Sequence, residues 1–440
     1  MKAKLQLWYS NNKNIINTTK FIVLSLFLLL IVWFLDIVEI GIKSNLPQFL
    51  LLSVDVSKTF LSTLAGVFLT VATFTFTTIL TMMTTYSSSF TPRVVQRFID
   101  KPHVLSLIGI FIGGFFYSVL SLFIMQYVST GQKVLAGTIG VAYAITSIIF
   151  FMLFVQQVIR DVKIVNLVQD IYDEAFLLVE EESEKRKNSQ RFGEDKIGKT
   201  IGIYANQTGY FYDVDFEGLM KQISHIPCEL VIHKKIGEYI SKGVYIADLN
   251  LTEKDLSDEL KDGKSEFLNK LSDSFLINKT KNISRDYHYE ITTLIEIALR
   301  AISPGINDPN TAIGCIGKIS NLLGKLFSTK NKYIVLKSQD DAKVIYTSYS
   351  VEEELYLSFY QLIFYGKEDP SVSYSILEGL YLIYMIADES AKDSIVEFFN
   401  YAYDVMYDAM GTDLDKKHLK SIRDNFFKNK DEVCDVEAVR

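Results

Sequence analysis

The sequence predicts an α+β membrane protein: a four-helix transmembrane domain followed by a cytosolic small β-barrel (barrel-sandwich-like) and a duplicated helix–corner–helix domain. Three observations carry this. Four apolar runs of about 20 residues, the length that crosses a bilayer core, lie within the first 165 residues. Period-two alternation with turn glycines marks 199–283. A Gly-x-x-Asp-Pro corner occurs twice, from Gly305 and from Gly366, each time ahead of a helical pattern. The expected organisation is a transmembrane domain over 1–165 with an interfacial helix at 92–100, and a helical linker over 166–198. The barrel follows over 199–283, the helical domain over 284–425 and a polar tail over 426–440. A chain of 440 residues accommodates two or three such domains.

The first span, Lys20–Ile40, lacks a small-residue cleavage site and reads as a retained anchor, not a signal peptide. Phe60–Met83, Val104–Val128 and Val134–Val155 complete the set. Basic residues cluster in the N-terminal tail (Lys2, Lys4, Lys13, Lys20), between spans two and three (Arg93, Arg97, Lys101) and after span four (Arg160, Lys163). By the positive-inside rule both termini are expected in the cytoplasm. The stretch "SSFTPRVVQRFIDKP" is a short amphipathic helix: Thr91 caps it, Pro92 takes its first position and Pro102 ends it. Arg93 and Arg97, one turn apart, are expected at the headgroup level, as a lipid-surface anchor more than an anion site.

Span two carries the unusual pattern. Thr59, Thr63, Gly66, Thr70, Thr73, Thr77, Thr81 and Thr84 recur every three or four residues and draw one small, hydroxyl-bearing stripe along the helix. Such a stripe allows close helix packing with interhelical hydrogen bonds, or lines an aqueous pathway shared by several copies of the chain. Spans three and four carry packing stripes of their own, Gly109–Gly113 and Ala136–Gly140–Ala144. Asp36 and Glu39, one turn apart near the outer end of span one, are candidates for an outer mouth that favours cations; against this, residues at that depth reach water anyway.

Charge divides the chain. Its net −7 splits into about +7 over the first 165 residues and about −14 over the remainder. An acidic soluble part excludes nucleic acid as a partner, since phosphate neutralisation requires clustered Lys and Arg. Cys228, Cys315 and Cys434 are far apart and suit a reducing compartment. The five histidines form no metal pair, and His288 in "RDYHYE" reads as a satisfied histidine before a ligand. In the barrel segment, Cys228–Leu249 shows strand alternation, with Gly237 and Gly243 where tight turns require positive φ. It resembles half of a lipoyl- or biotinyl-like domain without the hairpin that carries a modified lysine, so no swinging arm and no cofactor is expected.

The corner "EIALRAISPGINDPNTAIGCIGKIS" gives each odd residue a backbone task. Ser303 before Pro304 leaves the α region and stops one helix, and Gly305 allows the reversal. Asn307 precedes Asp308, which caps the next helix with Pro309 at its first position. Gly366, Asp369 and Pro370 repeat the arrangement, and "KYIVLKSQDDAKVIYTSYS" between the copies reads as a β-hairpin turning at Gln339–Asp341. Glu296 and Arg300 lie one turn apart beside the corner, which leaves a small anion site at a helix N-terminus as a competing reading. The chain has no nucleophile–base pair, phosphate loop or metal cluster of recognisable spacing, so an enzyme is not expected.

The stretches "LSTLAGVFLTVATFTFTTILTMMTTYSSSFTPRVVQRFI", "TGYFYDVD" and "ALRAISPGINDPNTA" together resemble a bacterial membrane-protein family, domain of unknown function 2254. Family members usually have a Pro-Gly-Asp turn where this chain has "KIGEY". The resemblance implies four spans, a large cytoplasmic region and a bacterial plasma-membrane location, and supplies no activity. From the hydroxyl stripe of span two, the expected function is a homo-oligomeric channel or transport protein for a small ion, with a cytosolic assembly or gating domain. The alternative is a membrane-tethered ligand-sensing or scaffold protein without transport. The expected partners are the lipid bilayer, further copies of the chain and a small ion or ligand.

Overall fold

The computed structural model describes residues 2–38, 46–129, 132–187, 199–224, 226–251, 264–279, 286–330, 333–337 and 342–437. They fall into two units, 2–166 and 167–440.

In the first unit, α1 (Lys2–Trp33) continues into a wide π-type turn, Phe34–Val38. A two-residue strand, β1 (Leu52–Ser53), leads into α2 (Val54–Ser89), where the Ser53 hydroxyl accepts from the Val56 amide at 3.4 Å. Then come α3 (Pro92–Asp100) and α4 (Pro102–Ile124), each with proline in its first turn, where no amide partner is lost. Strand β2 (Lys133–Val134) pairs antiparallel with β1 and precedes α5 (Ala136–Asp161). Among the described residues, four stretches are long and apolar enough to cross a membrane: Ile15–Ile37, Val54–Ser88, Val104–Tyr127 and Ala136–Asp161.

Helix α4 packs against α1, α2 and α5, and small residues make the approach possible. A Cβ on Gly109 would lie 2.3 Å from the Thr18 carbonyl oxygen, and one on Gly113 2.3 Å from the Ser25 hydroxyl. On α5, a Cβ on Gly140 would meet Leu61 at 2.8 Å. Leu29, Val32, Leu61, Tyr117 and Val134 form the dry centre, and the Tyr117 hydroxyl donates to the Ala136 carbonyl at 3.0 Å.

The second unit opens on α6 (Ile164–Lys187), which buries Leu167, Val168, Ile171, Ala175, Val179, Ser183 and Arg186 along one stripe. Strands β3 (Lys199–Tyr204) and β4 (Gly209–Val214) precede α7 (Phe216–Ile223). Next come β5 (Cys228–Ile232), β6 (Tyr239–Ile240), β7 (Tyr245–Leu251), α8 (Lys264–Ser272) and β8 (Phe275–Asn278). Gly237 and Gly243 take φ of 92° and 84°, the positive values their turns demand. Helices α9 (Tyr287–Ala301) and α10 (Pro309–Phe327) flank the corner. A hairpin, β9 (Tyr333–Lys337) and β10 (Lys343–Thr347), leads to α11 (Val351–Gly366), α12 (Pro370–Ile386), α13 (Glu389–Ala409) and α14 (Asp413–Glu437).

The small barrel expected over 199–283 is not found among the described residues. The strands form a five-stranded sheet in the order β3-β7-β5-β10-β9 and a three-stranded sheet in the order β6-β4-β8. The reason is a distant partner: β10 pairs in parallel with β5, Val344 opposite Leu230, so the hairpin extends the sheet. Its turn, expected at Gln339–Asp341, lies outside the described residues. Ile203, Phe211, Leu230, Ile246, Leu249 and Phe275, all almost fully buried, form the core beneath the strands.

Candidate functional site

The hydroxyl stripe of α2 lies on the outside of the 2–166 unit. Thr59, Thr63, Gly66, Thr70, Thr73, Thr77, Thr81 and Thr84 are all exposed, whereas Leu61, Ala65, Phe68, Ala72, Ile79 and Met82 are buried. At about 100° of rotation per residue the two sets occupy opposite faces. Phe60, Val67 and Phe74 border the stripe on one side, and Leu69, Phe76 and Leu80 on the other, all exposed. Each threonine hydroxyl donates to a carbonyl one turn back. Thr59 bonds Asp55, Thr63 bonds Thr59 and Thr77 bonds Thr73, each at 3.0 Å, and Thr70 bonds Gly66 at 2.9 Å. With the hydroxyl hydrogens engaged internally, the stripe presents acceptor lone pairs outward.

Of the two acidic candidates for an outer mouth, Asp36 has a structural task. Asp36 is buried at 6% exposure and accepts from the amides of Leu135 (2.9 Å) and Ala136 (3.1 Å). It therefore caps α5 from across the bundle and satisfies donors that a helix N-terminus leaves open. Glu39 lies outside the described residues. Arg97, expected among lipid headgroups, is also buried, while Arg93 is half-buried. Nearby, Lys101 pairs with the buried Asp161 at 2.9 Å and ties the start of α4 to the end of α5.

Both Asp-Pro corners are capping devices. Asp308 accepts from the Thr311 amide (3.2 Å) and hydroxyl (2.6 Å), and Asp369 accepts from the amides of Ser371 (2.9 Å) and Val372 (3.2 Å). Pro309 and Pro370 begin their helices. In the first corner the positive φ, 50°, falls on Asn307 and not on Gly305, because the chain is reversed by amides of Ile306 and Asn307 donating to the Ser303 carbonyl. Asparagine tolerates this region better than other non-glycine residues. Gly366 ends its helix where a Cβ would meet Val372 at 2.7 Å. Pro304, Gly305 and Asn307 are exposed, Glu296 is half-buried and Arg300 is exposed. Among the described residues, none of these corner residues lines a cavity of about 120 Å³ found in this unit.

That cavity, about 120 Å³, lies within residues 167–440 and is backed by a buried ionic cluster. Arg186 and Glu354 are both fully buried. Arg186 donates to Glu182 (3.2 Å), Glu354 (3.3 Å) and the Tyr287 oxygen (3.0 Å), and the Tyr287 hydroxyl donates to Glu354 at 2.5 Å. His288 Nε2 stands 3.3 Å from the second Glu354 oxygen. Burial alone would lower the His288 pKa, but the facing Glu354 carboxylate overrides it and holds it above the ordinary value. Burial likewise opposes ionisation of Glu354, and His288 and Arg186 reverse that, holding it below the ordinary carboxylate value. Burial and the same carboxylate push the Tyr287 phenol well up, so it remains a neutral donor.

Aromatic rings extend this cluster. The His288 ring lies 4.3 Å from that of Tyr287 and 4.1 Å from that of Tyr349, and the Lys235 ammonium sits 4.1 Å over Tyr349 while pairing with Glu353 at 2.6 Å. Asp286 caps α9 by accepting from the His288 amide at 2.9 Å. Sequence reading missed this site. Arg186 lies in the run "EEESEKRK" and Glu354 in "VEEELY", both of which read as solvated helix faces; only burial distinguishes them. Of its members only His288 stood out in the sequence, as a satisfied histidine.

Four spanning-length apolar helices joined to a mixed sheet and helical region define an integral membrane protein. The family profile described as "Predicted membrane protein (DUF2254)" matches residues 15–381, and the chain belongs to that family. Among curated proteins, it is similar to uncharacterized proteins of Mycobacterium bovis and Mycobacterium tuberculosis. Each is 23% identical over 302 residues, covering 67% of this chain and 57% of the relative. The chain thus spans little more than half the length of these relatives. No solved structure matches.

Proposed function

We propose that the protein is a homo-oligomeric channel of the bacterial plasma membrane that conducts a small cation. In this reading both termini are cytoplasmic, the α2 stripe lines a pathway at a shared axis, and the 167–440 unit, with its duplicated helix–corner–helix, assembles or gates the subunits. One observation carries it: the eight-residue stripe from Thr59 to Thr84 is exposed on the face opposite the buried side of α2. A lipid-facing helix needs no such row. Hydroxyls whose hydrogens are engaged by their own backbone offer oxygen acceptors, which suit a partly dehydrated cation. The bordering Phe60, Val67, Phe74, Leu69, Phe76 and Leu80 provide apolar shoulders for neighbouring copies.

Cysteines at Thr63, Thr70 and Thr77 test it. Reaction with membrane-impermeant thiol reagents, while cysteines at the buried Ala65 and Ala72 stay unmodified, is the expected result. If the three are inert to aqueous reagents yet form disulfides between copies, the stripe is a dry packing face and the pathway fails. A second reading, a membrane-tethered ligand sensor without transport and without catalysis, is favoured by a separate observation, the cavity in the 167–440 unit.

A further inference from the structure

We propose that the buried cluster is an acid-released latch: protonation of His288 sets a second cation on Glu354, in competition with Arg186, and loosens the last two turns of α6. Helix α6 is fastened differently along its length. Up to Val179 it buries an apolar stripe. Side chains tie it to α10, Lys318 donating to Gln169 (2.5 Å) and the Tyr172 hydroxyl to Asn321 (2.7 Å). Over the last two turns, 180–187, the buried side chains are Ser183 and Arg186, and both are polar. Ser183 reaches the Lys325 carbonyl at 3.3 Å, and Arg186 enters the cluster. A helix end that buries no apolar side chain opens at low cost, so its polar contacts decide whether it stays docked.

The two cations approach Glu354 from different elements and on different oxygens. Arg186, from α6, meets Oε1, which also accepts from Tyr287. His288, from α9, faces Oε2 at 3.3 Å. With His288 neutral, Arg186 is the cation of this carboxylate, and buried charges of opposite sign hold strongly. With His288 protonated, Glu354 is shared, and the imidazolium repels the guanidinium across it. The tie between α9 and α11 then strengthens at the expense of the tie to α6. Burial lowers the His288 pKa, Glu354 and Asp286 raise it, and the Arg186 guanidinium lowers it. By reciprocity, an Arg186 that disfavours the proton on His288 is itself disfavoured by that proton.

The other groups around His288 leave this sign in place. Glu182, also on α6, holds Arg186 at 3.2 Å and moves with it. Asp286 and Tyr287 belong to the start of α9, Tyr346 and Tyr349 are neutral phenols, and Lys235 over Tyr349 is paired with Glu353. Asp213 and the Glu181–Lys185 pair lie farther along the same cavity wall. His288 is 12% exposed and lines that cavity, so a proton reaches it without unfolding. Helix α6 starts at Ile164, directly after α5 ends at Asp161, so the latch acts on the helix that continues the fourth span in the chain. The inference is independent of whether residues 2–166 conduct.

The test is hydrogen–deuterium exchange with mass spectrometry on the full chain in lipid nanodiscs, corrected for the intrinsic pH dependence of exchange. Peptides within 178–187 should exchange about threefold or more faster at about pH 6 than at about pH 8.5, with peptides of α10 unchanged. His288→Gln, neutral at both values, should abolish the step. Should that variant fail to fold, Arg186→Met, in which Glu354 keeps His288 and Tyr287, gives a second reading. Its His288 titration midpoint, followed by histidine side-chain NMR, should lie above that of the wild type. Equal corrected exchange at the two pH values, faster exchange at the alkaline one, or opening that runs equally through α10 would each overturn the latch. So would a pH step retained in His288→Gln, or an unmoved midpoint in Arg186→Met.

Discussion

Arg186 and Glu354 stand 3.3 Å apart, and neither side chain reaches solvent. They join α6 to α11 across 168 residues of sequence, and Tyr287 and His288 close the group from α9. Ion pairs placed so deeply depend on mutual satisfaction, because each charge left alone in the interior carries a large desolvation cost.

Removing one member should therefore damage the protein more than removing both. Glu354→Leu alone is expected to destabilise by about 3–5 kcal/mol, and the double change Arg186→Met with Glu354→Leu to recover a large part of that. Thermal melting of the purified protein followed by size exclusion checks it. A double variant no better than the single one would show that the pair is not the unit of stability.

The pH dependence has a definite sign. His288 has its folded pKa raised, so its contribution is fully present below the unfolded value of about 6.5 and is lost as pH rises through the folded value. Glu354 has its folded pKa lowered, so its contribution is present above about 4.5 and is lost as pH falls through the depressed value. Melting temperature should decline on the alkaline side of about pH 6.5. His288→Gln should flatten that decline and leave the acid side in place.

Asp36 offers a test of position against selectivity. Because it accepts from Leu135 and Ala136, Asp36→Ala leaves buried amides without their acceptor and should cost about 1–3 kcal/mol. Asp36→Asn, which keeps an acceptor, should cost less. Detergent melting curves separate the two, and equal melting of wild type and Asp36→Ala would remove the capping role.

At the corner, Asp308→Ala and Asp369→Ala should each cost about 0.5–2 kcal/mol, and replacement by Asn only part of that. Equilibrium unfolding in denaturant gives the comparison. A loss of ligand binding or transport in Asp308→Asn at unchanged stability would instead assign the corner a functional role.

Local signals in the sequence were legible where local physics decides. Pro92, Pro309 and Pro370 marked helix starts, Asp308 and Asp369 marked caps, and Gly237 and Gly243 marked turns, because each depends on a few neighbouring atoms. Gly109, Gly113 and Gly140 announced close helix approach for the same reason. What required distant partners stayed hidden. The β5–β10 pairing joins segments more than 100 residues apart, and alternation alone says nothing about which strand lies alongside. Arg186 and Glu354 look like surface charges until their burial is known. Asp36, a candidate for an outer mouth, accepts from the amides of Leu135 and Ala136, a partnership that spacing within span one cannot reveal.

The most direct measurement is ion flux through the purified full chain in sealed liposomes, comparing wild type with Thr70→Cys before and after a bulky, membrane-impermeant thiol reagent. The expected result is cation flux in both proteins and block of the cysteine variant alone. No flux above that of empty liposomes, or flux that the modified cysteine leaves unchanged, would contradict the account.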